Sequence, residues 1–238
     1  MTRFTWYRRW GKRVFDLLVG TLALIVLSPV LTGTAILVRL LLGSPVLFRQ
    51  ARSGRGRKPF TILKFRTMTE ACDGDGQLLP DTVRLTRFGR FLRKTSLDEL
   101  PELFNVLKGD MSLIGPRPLI TRYDDSYYDH ELKRFEAMPG ITGWAQVNGR
   151  NGLGWNERFA CDVWYVERQG LFLDAWILLL TIWVVVRREN IHVDTSIAFL
   201  SLDEERGMRG ERTDVVKPMS EARHPSWSTL PFAAGGER

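Results

Sequence analysis

The strongest pattern along the chain is an uncharged run, Leu17–Val38, reading LLVGTLALIVLSPVLTGTAILV. It matches the roughly 20 residues that a helix needs to cross a bilayer. The run is too long for the apolar part of a cleavable signal peptide, and no small-residue cleavage site precedes a mature domain. Two features oppose a simple spanning helix. Ser28-Pro29 stands near the middle, where proline removes a backbone donor and crowds the preceding turn. Both flanks are also basic, with Arg3, Arg8, Arg9, Lys12 and Arg13 before the run and Arg39, Arg49, Arg52, Arg55, Arg57 and Lys58 after it. A spanning helix carries that bias on its cytoplasmic side. The symmetric flanks therefore favour a re-entrant helix that breaks at Ser28-Pro29 and returns, leaving both ends in the cytoplasm. A spanning helix that tolerates a central proline stays open as the alternative.

Beyond this run the pattern shortens. Val46–Gln50 and Phe60–Phe65, separated by the polar Ser53–Lys58, predict a β-hairpin. Residues 72–81 read as a Gly/Asp loop. Thr86 is placed to cap a short helix reaching Lys94, and Glu102–Lys108 reads as a helix stopped by Gly109. Gly and Pro punctuate 112–122 and 138–154, which read as irregular loops. Leu171–Arg188 contains the uncharged Ala175–Val186, too short to span and suited to a buried or interfacial helix. From residue 201 the chain turns polar and reads as a mobile tail. No internal repeat is evident. The predicted class is α+β and mainly helical. Its parts are a membrane helix with basic flanks (1–43), one catalytic domain with a small β-hairpin and interfacial helices (44–200), and the tail (201–238).

Composition adds one decision. The formal charge of +7 invites a nucleic-acid reading, but residues 1–70 hold 13 Lys/Arg against only Asp16 and Glu70. The remainder carries 21 basic and 25 acidic residues, so the excess positive charge flanks the apolar run. That distribution suits anionic lipid headgroups and gives no nucleic-acid partner. Cys72 and Cys161 lie far apart with no nearby histidine cluster, which implies neither a disulfide framework nor a zinc site.

The densest chemistry is Arg93-Lys94-Thr95-Ser96-Leu97-Asp98-Glu99-Leu100-Pro101. One reading is a helix start in which Ser96 caps and Glu99 closes a capping box. The other is a phosphate site: carboxylates beside several cations imply a third partner, such as a phosphate with a divalent ion. Arg87, Arg90 and Arg93 recur upstream, Lys64 and Arg66 sit on the hairpin, and Arg117 is held extended between Pro116 and Pro118. The two readings stand at even weight on these residues alone. No P-loop and no G-x-G-x-x-G is present, and His130, His192 and His224 are too scattered for a metal cluster or a catalytic triad. Asp73 and Asp75 read as a solvated loop.

The run RKTSLDELPELFNVLKGDMSLIGPRPL, with KFRTM at 64–68 and PGITGWAQVNGRN at 139–151, resembles the signature of the bacterial sugar transferases, the monotopic phosphoglycosyl transferases. The likeness extends over roughly residues 10–195 and is to the small form consisting of the catalytic core. It implies that Asp98 is the nucleophile of a catalytic acid pair with Glu99, and that Arg93 and Lys64 contact phosphate. It further implies that Arg117 belongs to an element associated with the nucleotide, and that Ser28-Pro29 is the break of the re-entrant helix. The implied reaction moves a sugar-1-phosphate from a UDP-sugar to polyprenyl (undecaprenyl) phosphate, with release of UMP and an aspartyl-phosphosugar intermediate. Mg²⁺ held by Asp98 and Glu99 is the implied cofactor, and the cytoplasmic face of the bacterial inner membrane the implied location. The acceptor phosphate is already ionised at neutral pH, so metal binding or positioning suits Glu99 better than proton abstraction. A homo-oligomer is left open.

Overall fold

A computed structural model describes residues 6–148, 153–187 and 201–208. A π-helical turn, Tyr7–Gly11, leads into the long helix α1, Lys12–Leu42, which Gly43 terminates in a positive-φ conformation (φ 79°). Pro29 lies inside α1, and the helical run continues through it. The backbone carbonyl that a proline at 29 leaves without an amide partner is that of Ile25. The Ser28 hydroxyl donates to that carbonyl at 2.7 Å, so a side chain supplies the missing donor. The expected break at Ser28-Pro29 therefore does not divide the segment into two helices.

One stripe of α1 faces the rest of the chain. Lys12, Asp16, Gly20, Leu31, Thr34 and Val38 are buried, and Ala23, Leu24 and Leu27 between them are partly so. These positions advance in steps of three or four, the repeat of a single helical face. The remaining surface is apolar and exposed, including Leu18, Leu22, Ile25, Val26, Leu37 and Leu40. Both ends are fastened to the same body. Near the start, Arg13 donates to the carbonyls of Val106 and Leu107 at 2.6 and 2.8 Å. At the far end, Arg66 donates to the carbonyls of Leu42 and Ser44. This helix is long and apolar enough to cross a membrane, yet only 17% of its most apolar window is buried within the fold.

The hairpin forms as predicted: β1 (Leu47–Ser53) pairs antiparallel with β2 (Pro59–Phe65), Phe48 opposite Lys64. Then come α2 (Asp81–Arg84), α3 (Arg87–Thr95) and α4 (Glu102–Lys108). The Thr86 cap is present, its hydroxyl accepting from the Gly89 amide at 2.9 Å, and Gly109 ends α4 at φ 96°. Segments expected to be irregular contain two short strands, β3 (Ser112–Ile114) and β4 (Gly140–Thr142), paired in parallel. The pairing draws Gly115 so close that a Cβ there would lie 2.2 Å from the Met138 carbonyl oxygen.

Helices α5 (Trp144–Val147), α6 (Trp155–Arg168) and α7 (Leu171–Arg187) follow. The core is built from Ile62, Leu103, Val106, Met111, Ile114, Trp144, Tyr165 and Ile177. In α7, Asp174 and Ile177 are fully buried while Phe172, Leu179, Ile182 and Trp183 are exposed, the distribution of an interfacial helix. Ordered structure also extends past residue 200. Helix α8 (Leu202–Met208) buries Leu202 against Tyr123 and Phe159, and Arg206 bonds Glu131 at 2.8 Å. The tail expected from 201 therefore starts no earlier than 209; its remainder, with His192, His224 and residues 149–151 of the third motif, lies outside the described residues.

Candidate active site

Asp98 and Glu99 occupy a 3-10 turn, Leu97–Glu99, between the end of α3 and the start of α4. Ser96 turns the chain there with a left-handed backbone (φ 56°) and makes no side-chain cap. The capping box does not form. The turn is held from three sides. Gly89 on α3 approaches Thr67 so tightly that a Cβ would lie 1.8 Å from the Thr67 carbonyl oxygen, bringing α3 onto the segment after β2. Asn105 on α4 accepts from the Leu63 amide at 3.0 Å and donates to the Thr61 carbonyl at 2.8 Å, tying α4 to β2. Arg134, ion-paired to buried Asp162 at 2.9 Å, donates to the Arg117 carbonyl at 2.7 Å and fixes the loop Pro116–Pro118.

These anchors bring together the predicted residues. The Glu99 Oε1 atom accepts from Lys64 Nζ at 2.7 Å and from Arg117 Nη2 at 2.6 Å. Arg93 is oriented by a hydrogen bond from its Nε to the Thr67 hydroxyl at 3.1 Å. Burial first, then the neighbouring Glu99 charge, raises the Asp98 carboxyl above its ordinary range, with Lys64, Arg93 and Arg117 opposing. Burial would also raise Glu99, but Arg117 and Lys64 outweigh it and hold that carboxyl far below the usual range. Arg117 is raised in turn, chiefly by Glu99. Two adjacent carboxyls are thus driven apart, one toward the protonated form and one locked as an anion.

Other predicted residues lie elsewhere. Arg66 anchors the end of α1 and takes no part in the cluster, while Arg87 and Arg90 are exposed on α3. Asp73 caps its own loop by accepting from the Asp75 and Gln77 amides, and His130 stacks on Tyr128. Two residues were missed. Glu102, 2% exposed, places Oε1 3.2 Å from Lys64 Nζ. Arg52 feels the charges of Arg117, Glu102 and Glu99, and burial followed by Arg117 lowers its pKa. Strand alternation was the available signal for Arg52, which shares a face of the hairpin with Lys64. For Glu102 it was the three-residue step from Glu99.

Among the described residues no group of three His, Cys, Asp or Glu side chains is disposed to hold a metal. Asp98 and Glu99 offer two hard carboxylates, a set that suits Mg²⁺ when substrate phosphates complete its shell.

Fold and site together define a protein with a long exposed apolar helix and an acid pair set among the cations Lys64, Arg93 and Arg117. The chain belongs to the bacterial sugar transferase family, which matches residues 7–188. It is 53% identical over 180 residues to the uncharacterized sugar transferase EpsL of Bacillus subtilis, covering 76% of this chain and 89% of that one. It is 41% identical over 197 residues to the UDP-glucose:undecaprenyl-phosphate glucose-1-phosphate transferase of Caulobacter vibrioides, covering 76% and 72%. Against the undecaprenyl-phosphate galactose phosphotransferase of Salmonella typhimurium it is 39% identical over 202 residues, covering 77% of this chain but 42% of that protein.

Proposed function

We propose that this protein transfers a sugar-1-phosphate from a UDP-sugar to undecaprenyl phosphate, releasing UMP, at the cytoplasmic face of the bacterial inner membrane. The carrying observation is the Asp98-Glu99 turn with Lys64, Arg117 and Arg93 gathered on it. The names of the Caulobacter and Salmonella relatives support the donor and acceptor classes. In this reading Asp98 attacks the sugar-bearing phosphorus as a carboxylate. The bond from that phosphorus to the UMP oxygen breaks, and the phosphosugar is held as a mixed anhydride. The acceptor phosphate oxygen then attacks the same phosphorus and returns Asp98 to its free form. A carboxylate meets like-charge repulsion at a diphosphate, so cations aimed at the phosphoryl oxygens are what lower the barrier. Arg93 and Arg117 supply that charge, and Glu99 keeps Arg117 and Lys64 in place. Asp98 and Glu99 would hold a Mg²⁺ ion, which would add to the neutralisation of the diphosphate.

The monotopic arrangement is part of the proposal. A helix crossing the bilayer cannot have its first and last turns bonded to one domain on one side. The Arg13 and Arg66 contacts hold both ends of α1 on the same body, which favours a helix lying in one leaflet. Phe48, Phe91 and Phe104, on β1, α3 and α4, are also exposed apolar side chains. A site at headgroup depth meets the acceptor phosphate while its tail stays in lipid. The test is a panel of UDP-sugars with Mg²⁺ and undecaprenyl phosphate in detergent. One sugar should yield UMP in equal amount to a polyprenyl-diphosphate-sugar. Transfer of the bare sugar with release of UDP would refute the assignment.

A further inference from the structure

The carboxylate cluster contains a third acid that the two-residue account leaves idle. Glu102 opens α4, is 2% exposed, and its Oε1 has no aligned hydrogen-bond donor although Lys64 Nζ lies 3.2 Å away. Lys64 directs its well-formed bond, 2.7 Å, to Glu99. Glu99 in turn carries both Lys64 and Arg117 on one oxygen. Two cations at that atom repel a divalent ion approaching the same carboxylate. Glu99 and Glu102 sit on a turn and a helix start tied to β2 through Asn105, whereas Lys64 ends in a flexible four-carbon stem. The mobile partner among the three is therefore Lys64.

We propose that Glu102 is a positioning residue that receives Lys64 when a cation–diphosphate engages Glu99, so that one ammonium is handed between two carboxylates. This rests on the reading of Asp98 and Glu99 as a Mg²⁺-dependent centre. The handover gives the buried Glu102 oxygen the donor it lacks and strips one positive charge from the metal-facing acid. Burial first, and then the Glu99 charge, pushes the Glu102 carboxyl up to about 7, and Lys64 works against that shift.

The experiment is Mn²⁺ binding in the presence of UDP, followed by loss of the free-ion paramagnetic resonance signal in the detergent-solubilised protein. Glu102→Gln keeps the shape and removes the landing site, and its half-saturating Mn²⁺ should rise about tenfold. Glu102→Asp retains the charge but withdraws it by one methylene, and should share the weakening. In a Lys64→Met background, Glu102→Gln should change Mn²⁺ binding less than twofold, because nothing is left to hand over. Circular dichroism melting verifies that each variant is folded. An equal tenfold effect with and without Lys64 would reduce Glu102 to a background charge and overturn the handover. So would unaltered binding in both single variants. Wild-type protein that binds no Mn²⁺ with UDP would instead overturn the metal-dependent centre, and the handover with it.

Discussion

Asp98 and Glu99 are neighbours in the chain, yet their surroundings push their protonation in opposite directions. The cause is geometric: Glu99 faces two cations at hydrogen-bond distance, while Asp98 is buried beside an anion. In the proposed reaction Arg93 supplies charge to the phosphate and is not part of the core, so Arg93→Ala should lower turnover roughly 100-fold, about 3 kcal/mol in the barrier, with an unchanged melting midpoint. Steady-state rates together with a melting curve check this, and a near-normal rate would take Arg93 out of the site. Glu102 gives a pH prediction. Its carboxyl ionises at about 7 in the folded protein against an ordinary 4.5. A raised carboxyl stabilises the fold most below 4.5, and that stabilisation is lost as pH climbs through 7. Glu102→Gln has no such ionisation. Its stability relative to the parent should therefore rise between pH 5 and pH 8, by up to roughly 3 kcal/mol. Urea denaturation at the two pH values measures it, and a difference that falls with pH would contradict the assignment.

At the scale of elements, the anchors that shape the site are also its weak points. Gly89→Ala drives a methyl into the Thr67 carbonyl and must push α3 away from the segment after β2. A cost of about 1–3 kcal/mol is expected, with a larger loss of activity because Arg93 is oriented by Thr67. Chemical denaturation read beside turnover tests both, and an unaffected variant would mean that this approach is not needed. Much of this level was legible in the chain. The β-hairpin, the Thr86 cap and the Gly109 stop all rest on local chemistry, a turn, a hydroxyl and a positive φ. What was missed depends mostly on distant partners. Ser96 is left-handed because it caps the end of α3, its amide bonded to the Leu92 and Arg93 carbonyls, at a position where glycine is the usual signal. Strands β3 and β4 are short and pair in parallel across a long separation, so no alternation announces them. Helix α8 looked like polar tail because, among its described side chains, Leu202 is the single buried apolar one. Arg66 resembled a phosphate ligand, being a cation beside Lys64, until the end of α1 claimed it. The acid pair and Arg117 were recognisable through a long family motif, whereas residue spacing alone gave no more than even weight between a cap and a site.

For the whole molecule, an apolar helix bonded at both ends to one domain makes a topological prediction. In a Cys72→Ser background, Trp6→Cys and Ser44→Cys should both resist a membrane-impermeant maleimide in intact cells and both react once cells are opened. Labelling of either from outside would give α1 a spanning course. Membrane placement and chemistry then meet in one claim: the phosphosugar rests on Asp98 between a water-borne donor and a lipid-borne acceptor. Such an intermediate makes donor cleavage independent of acceptor. The most direct measurement is intact-protein mass spectrometry after incubation with Mg²⁺ and the reactive UDP-sugar, with undecaprenyl phosphate left out. The account predicts UMP release and one added phosphosugar per chain, localised to Asp98, absent in Asp98→Asn and discharged when acceptor is supplied. UMP that forms only when acceptor is present, with no adduct at any time, would contradict it and leave direct transfer between the two substrates.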